Sequence, residues 1–164
     1  MSDTISDREY FHTWTLIRNI SHLIGKSRDR ELSQYGITVI QSAILYMIKA
    51  LAERATPGNI ARAMFREPTT ISNSLIRMEK QGLVHRYNDA MRKSQVRIEM
   101  TEKGEQAYLD AARRGSVKKI MSQMPPETFR QLNASLTLLR KEVMNDLGLS
   151  PQRPPVPPDE DGIL

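Results

Sequence analysis

The chain has 164 residues, of which 39% are apolar and 26% charged, with a net charge of +5 and no cysteine. That composition suits a globular chain with one core, or one small domain with oligomerising arms, and it excludes disulfides, thiolate nucleophiles and most structural zinc sites. The positive balance is uneven: residues 151–164 hold one arginine against three acids, a net of −2 that leaves +7 for the remainder and favours polyanionic partners such as nucleic acid.

The N-terminal stretch MSDTISDREYFHTW has neither a basic n-region nor an apolar h-region, so no signal peptide is expected. No apolar run approaches the roughly 20 residues needed to span a bilayer. The sequons at Asn19 and Asn133 are therefore expected to be idle, and the lack of cysteine leads us to expect a cytoplasmic setting. Across residues 8–31, Phe11, Trp14, Ile17, Ile20, Leu23 and Ile24 recur at helical spacing with a wide apolar arc. Gly36 then precedes a second helix from Thr38 to about Leu51. Thr56 is a good N-cap and Pro57 stands at the first helical position, opening a short helix to about Met64.

Pro68 marks the next start, and that helix is predicted to run to Gln81 with Gly82 just past its end. Leu83–Tyr87 reads as a strand, Asn88 and Asp89 turn the chain, and Gln95–Met100 alternates polar and apolar residues as a second strand. Thr101 is placed to cap one long helix through about Ser122. Met124-Pro125-Pro126-Glu127 breaks it and starts a last helix, where Phe129, Leu132, Leu136, Leu139, Val143 and Leu147 form a seam of the coiled-coil kind. The proline-rich and then acidic tail, 150–164, is expected to be extended and disordered.

Two short helices followed by a two-stranded ribbon make a winged helix-turn-helix, with Pro68–Gln81 as its second helix. There Ile71, Leu75 and Met78 fall at i, i+4, i+7 and form one narrow buried stripe, with Ile76 at its edge. Thr69, Thr70, Ser72, Asn73 and Arg77 occupy the other angles, and Arg77 lies one turn beyond Asn73. Free N–H groups at the start of this helix suit phosphate, so Pro68 joins the DNA-binding candidates, as does Thr56 at the start of the preceding helix. Asn can pair with adenine, threonine can touch the thymine methyl, and Arg77 suits phosphate or guanine. The ribbon adds Arg86, Arg92, Lys93 and Arg97, with Asp89 the only acid between Glu79 and Glu99. A basic loop tip of this kind can reach an adjacent minor groove. The bland alternatives are an ordinary amphipathic helix with a solvated face and a solvated hairpin whose charges discourage edge pairing.

The stretch NIARAMFREPTTISNSLIRMEKQGLVHRYNDAMRKSQVRIEMTEKGEQAY, Asn59–Tyr108, resembles the MarR-type winged-helix transcriptional regulators. RMEKQGLV (Arg77–Val84) and MTEKG (Met100–Gly104) carry the likeness at the right spacing across a wing, and the flanking helices extend it to roughly residues 8–148. Many members place an Asp-x-Arg triplet at the wing tip just before the second strand. Here the matching tip is Arg92-Lys93-Ser94 with Asp89 the nearest acid, so the pairing that stiffens that loop is absent or rearranged. Arg92 and Lys93 are the candidates for the minor groove, and Arg97 for the strand flank near phosphate.

The resemblance implies a mainly α fold in which a lobe over 36–104 is flanked by dimerisation helices at 1–35 and 105–149. Apolar surface on the first and last helices points the same way, because a winged domain cannot cover it alone. A twofold dimer would set two recognition helices on half-sites about one turn, roughly 10 bp, apart. The resemblance also implies a small, often aromatic, ligand bound between the dimer helices and the lobe. Tyr10, His12, Trp14, Arg18 and Tyr46 could line such a pocket, against the plainer reading of core packing.

No enzyme reading competes. Ser116 to Lys119 fits Ser-x-x-Lys without a partner motif, His12, His22 and His85 lack metal-ligand spacing, and no glycine-rich phosphate loop occurs. No cofactor or metal is expected. The expectation is a homodimeric repressor binding a palindromic operator and released by a ligand. The alternatives are a winged-helix protein-interaction module and an effector-independent DNA binder.

Overall fold

Most helices begin where the sequence supplies a cap. The computed structural model of the chain describes residues 4–88 and 96–150. Helix α1, Asp7–Ser33, starts on a reciprocal cap: Ser6 Oγ accepts from the Glu9 N–H, and the Glu9 carboxylate accepts from the Ser6 N–H at 2.8 Å. Helix α2, Val39–Leu51, repeats the device with Thr38 and Gln41, and a 3-10 turn at Ala52–Arg54 follows it. Thr56 caps α3, Pro57–Ala63, and Thr101 caps α5, Glu102–Ala112. Between them lie α4, Pro68–Lys80, and an antiparallel ribbon of β1, Val84–Asn88, and β2, Val96–Met100, in register Val84↔Met100 and Asn88↔Val96. Helices α6, Gly115–Met121, and α7, Pro126–Asp146, complete the order.

The fold is mainly α with a two-stranded wing, as the resemblance implies. Helix α2 runs through the centre, burying Gln41, Ile44, Leu45, Ile48 and Leu51. Around it close Leu32 from α1, Ile60 from α3, the α4 stripe, Val84 and Ile98 from the ribbon, and Ala107, Tyr108 and Ala111 from α5. The core therefore continues beyond residue 104 to Ala111.

Helix α4 ends as its sequence dictates. Gly82 takes φ +71, its N–H donates to the Glu79 carbonyl at 2.9 Å, and the Leu83 N–H donates to the Met78 carbonyl at 2.9 Å. That pairing is the Schellman motif, in which a left-handed residue, here without Cβ strain, lets the last turn satisfy its own carbonyls. Leu83 thereby enters the core as part of the cap, and the strand starts one residue later than expected. Close by, α5 crosses the chain so tightly that a Cβ on Gly104 would sit 2.0 Å from the Leu83 carbonyl oxygen.

One expectation fails. The helix read as continuous from Thr101 to Ser122 is broken into α5 and α6 at Arg114, which adopts φ 48 and ψ 37. A left-handed non-glycine residue costs about 1–2 kcal/mol. The cost is offset from α1. The Glu31 carboxylate accepts from the N–H groups of Gly115 (2.8 Å) and Ser116 (3.0 Å) and from the Ser116 hydroxyl, while Arg28 Nη1 donates to it at 2.7 Å. Arg28 Nη2 also donates to the Ala111 carbonyl, so the clamp binds both sides of the break. Burial alone would raise the Glu31 carboxyl. The hydrogen bonds from Ser116, Arg28 and Gly115 overcome that and hold it down at about 2.

The two ends of the chain look different from its middle. Helix α1 buries only Leu32, leaving Phe11, Trp14, Ile20 and Leu23 exposed, and α7 buries only Met144. The seam from Phe129 to Val143 forms on one helix as its spacing requires, but it is exposed along its length, and Leu147 falls at the C-cap. No helix among the described residues is long and apolar enough to cross a membrane.

Candidate nucleic-acid interface

The α3–α4 pair is built from a turn with an unusual occupant. After α3, Phe65 takes φ 51 at the place glycine usually holds, with its N–H on the Arg62 carbonyl (3.2 Å) and the Arg66 N–H on the Ala61 carbonyl (3.0 Å). The aromatic ring stays largely exposed and faces α7 across an apolar groove lined also by Leu139, Val143 and Leu147. Arg62 and Arg66 are exposed on either side of this turn. Neither is among the expected contacts, although the sequence signals them as two arginines four apart just before Pro68.

Helix α4 opens at Pro68 with no side chain capping its N-terminus. Ile71, Leu75 and Met78 are completely buried, each stabilised by about 1.5–3 kcal/mol relative to exposure. Pro68, Thr69, Thr70, Asn73 and Arg77 are exposed, Ser72 is half-buried, and Ile76 lies at the margin. The helix thus turns hydroxyls, one amide and one guanidinium outward while its other side is fixed. No acidic side chain interrupts it between Glu67 and Glu79.

Three candidates sit differently from the rest. Thr56 is only 8% exposed and its hydroxyl accepts from the Asn59 N–H at 3.2 Å, so it shapes the start of α3 rather than presenting a side chain. Arg86 is half-buried. Its Nε and Nη2 each lie 3.0 Å from Glu79 Oε2, and its N–H donates to Glu79 Oε1 at 3.2 Å, a strut from the ribbon to the end of α4. Arg97 is half-buried opposite Tyr87 in the ribbon. Tyr87 Oη donates to Glu99 Oε1 at 2.6 Å, which raises the phenol above its ordinary value. Arg92 and Lys93, like Asp89 and the tail 151–164, lie outside the described residues.

The ligand candidates separate into two groups. Tyr46 is half-buried and lines a cavity of about 280 Å³ with Arg28, Met47, Tyr108 and Arg114, whose guanidinium carbon stands 5.6 Å from the Tyr46 ring centre. Tyr10 and Trp14 are 60% and 52% exposed on the outer half of α1, with Arg18 stacked 5.0 Å above Trp14. His12 is exposed on the same segment. None of these four lines the cavity at Tyr46. Among the described residues no group of three or more His, Cys, Asp or Glu side chains could hold a metal.

Residues 35–92 match the family described as the MarR family. No curated protein matches the sequence. Among solved structures the chain is similar to MepR, a transcription regulator of the Staphylococcus aureus multidrug efflux pump MepA, at 30% identity over 78% of this chain and 96% of that one, with a TM-score of 0.61. The MepR–DNA complex gives 29% identity over the same shares and a TM-score of 0.71. The organohalide-sensing transcriptional regulator RdhR-CbdbA1625, in its 2,4-dichlorophenol-bound form, gives 26% identity over 93% and 97% of the two chains, with a TM-score of 0.76.

Proposed function

We propose a function from one premise: this chain belongs to the MarR family of winged-helix, DNA-binding transcriptional regulators, whose members are not enzymes. On that premise it is a homodimeric repressor acting in the cytoplasm on a pseudo-palindromic operator, released by a small aromatic ligand. The carrying observation is the division of α4, whose Ile71, Leu75 and Met78 are fully buried while Thr69, Thr70, Asn73 and Arg77 face outward. Thr69, Thr70, Ser72 and Asn73 would meet base edges. Pro68 and the α4 N-terminus, with Arg77, Arg97, Arg62 and Arg66, would meet phosphate. Arg92 and Lys93 would enter the minor groove. Thr56 and Arg86 would hold the lobe in shape for that contact. The exposed apolar faces of α1 and α7 would close on a second copy, so these two helices would serve dimerisation, while the start of the 105–149 segment packs with the lobe through Ala107, Tyr108 and Ala111.

The Tyr46 cavity supports the ligand half of this reading, as does the chlorophenol-bound neighbour. A ligand can release DNA only by preferring the lobe spacing that does not fit the operator. Selection of duplexes from a random-sequence pool by the purified protein tests the reading, with recovery of a two-fold symmetric site as the expected result. Arg77→Ala should weaken binding to all sequences, and Asn73→Ala should change preference at one base pair by about 1–3 kcal/mol. If both bind every duplex like wild type, α4 is not the reading helix. Recovery of no sequence would favour a protein-interaction module, and selection with no response to any phenol would favour an effector-independent binder.

A further inference from the structure

Gln41 is buried, at 6% exposure, in the middle of the lobe, and the ends of its amide serve two different helices. Its Oε1 accepts from the Thr38 N–H at 3.0 Å, closing the first turn of α2. Its Nε2 donates to Gln81 Oε1 at 2.6 Å, and Gln81 is the C-cap residue of α4. The Gln81 N–H in turn donates to the Arg77 carbonyl at 3.0 Å, and the Gln81 carbonyl accepts from Lys103 Nζ at 2.8 Å. On the other side, the N–H of Val39 donates to Asp29 Oδ1 of α1 at 3.1 Å. A row of direct hydrogen bonds therefore runs from the inner end of α1, through the α2 cap, to the residue that ends α4.

We propose that Gln41 is a positioning residue for DNA reading: through Gln81 it fixes the axial rotation and tilt of α4 relative to α1. The inference rests on the proposed function and deepens it. The apolar stripe of α4 holds the helix against the core, but such packing is non-directional. A short side-chain hydrogen bond at the helix end is directional and specifies rotation. A small rotation of α4 would leave Ile71, Leu75 and Met78 buried while moving Asn73 and Arg77 off a base edge. Loss of the Gln41–Gln81 bond should thus cost discrimination between sequences far more than it costs stability.

The test uses a duplex selected by the wild-type protein and a scrambled duplex of equal length, with thermal melting in parallel. Gln81→Met removes the link while sparing the α2 cap, and Gln41→Met removes both. Gln41→Glu preserves the link, because the Gln81 amide can turn over and donate to the new carboxylate. Each Met variant should bind the selected duplex about 5- to 10-fold more weakly, the magnitude of one hydrogen bond, with scrambled binding unchanged. The double variant should be no weaker than Gln41→Met alone, and Gln41→Glu should keep wild-type discrimination while melting lower, because its carboxylate is buried. Multiplied losses in the double variant, or lowered melting of the Met variants with discrimination intact, overturn the inference. If wild type selects a site and Gln81→Met discriminates equally well, only the inference fails. If wild type selects none, the function reading fails and the inference with it.

Discussion

The winged lobe and the terminal arms obey the same helical periodicity and end in opposite states. Around α2 and α4 every large apolar residue of the stripe finds neighbours from the same chain. Along outer α1 and along α7 the apolar residues are just as regularly spaced and remain open. Periodicity therefore reports that a face must be covered, and says nothing of whether the cover comes from the same chain.

The sharpest way to break this contrast is a charge in the arm. Leu139→Glu places a carboxylate in the α7 seam without touching the lobe core. It should abolish dimerisation in sedimentation and weaken operator binding by on the order of 100-fold or more, since two half-sites would no longer be held together. Were Leu139→Glu to sediment and bind like wild type, α7 would not be an interface. Next comes a cavity in the lobe. Leu75→Ala, at a fully buried position, should destabilise by about 3 kcal/mol in denaturant titration, and that loss should persist in the Leu139→Glu background. An equally small effect at both positions would erase the distinction between a finished and an unfinished region.

The smallest of the three acts where lobe and arm join. Glu31→Gln should lower stability by about 2 kcal/mol at neutral pH, because the Gly115 and Ser116 N–H groups and Arg28 would lose a charged acceptor. The Glu31 carboxyl sits at about 2 in the folded chain against 4.5 ordinarily. A depressed carboxyl stabilises the fold fully above its unfolded value and loses that contribution as pH falls through its folded one. The gap between wild type and Glu31→Gln should therefore be constant above about pH 5 and shrink between pH 4.5 and 2. A gap that widens on acidification would show that Glu31 is not held ionised by the break it caps.

What could be read from the sequence is what neighbouring residues decide. Thr38, Thr56 and Thr101 each cap the helix that follows within three residues, and Gly82 supplies the left-handed turn after α4. The α4 stripe was legible because i, i+4, i+7 is a property of one helix. The break at Arg114 was not, because its cap comes from Glu31, more than eighty residues earlier. The same limit hid the Glu79–Arg86 strut and the Gln41–Gln81 bond, in which polar residues that look like solvated surface find each other only after folding. Thr56 is the α3 N-cap its sequence position suggests, and its hydroxyl is taken up by the Asn59 N–H. The family resemblance groups Tyr10, Trp14 and Arg18 with Tyr46, but of these only Tyr46 lines the cavity.

The reciprocal bonds between Ser6 and Glu9 give this unpartnered arm a consequence of its own. Helix initiation is the unfavourable event in forming an isolated helix, and here Ser6 and Glu9 favour it by satisfying free N–H groups of the first turn. Whatever meets α1 encounters a rod and not a coil. Docking onto an already capped α1 would then cost little further backbone freedom.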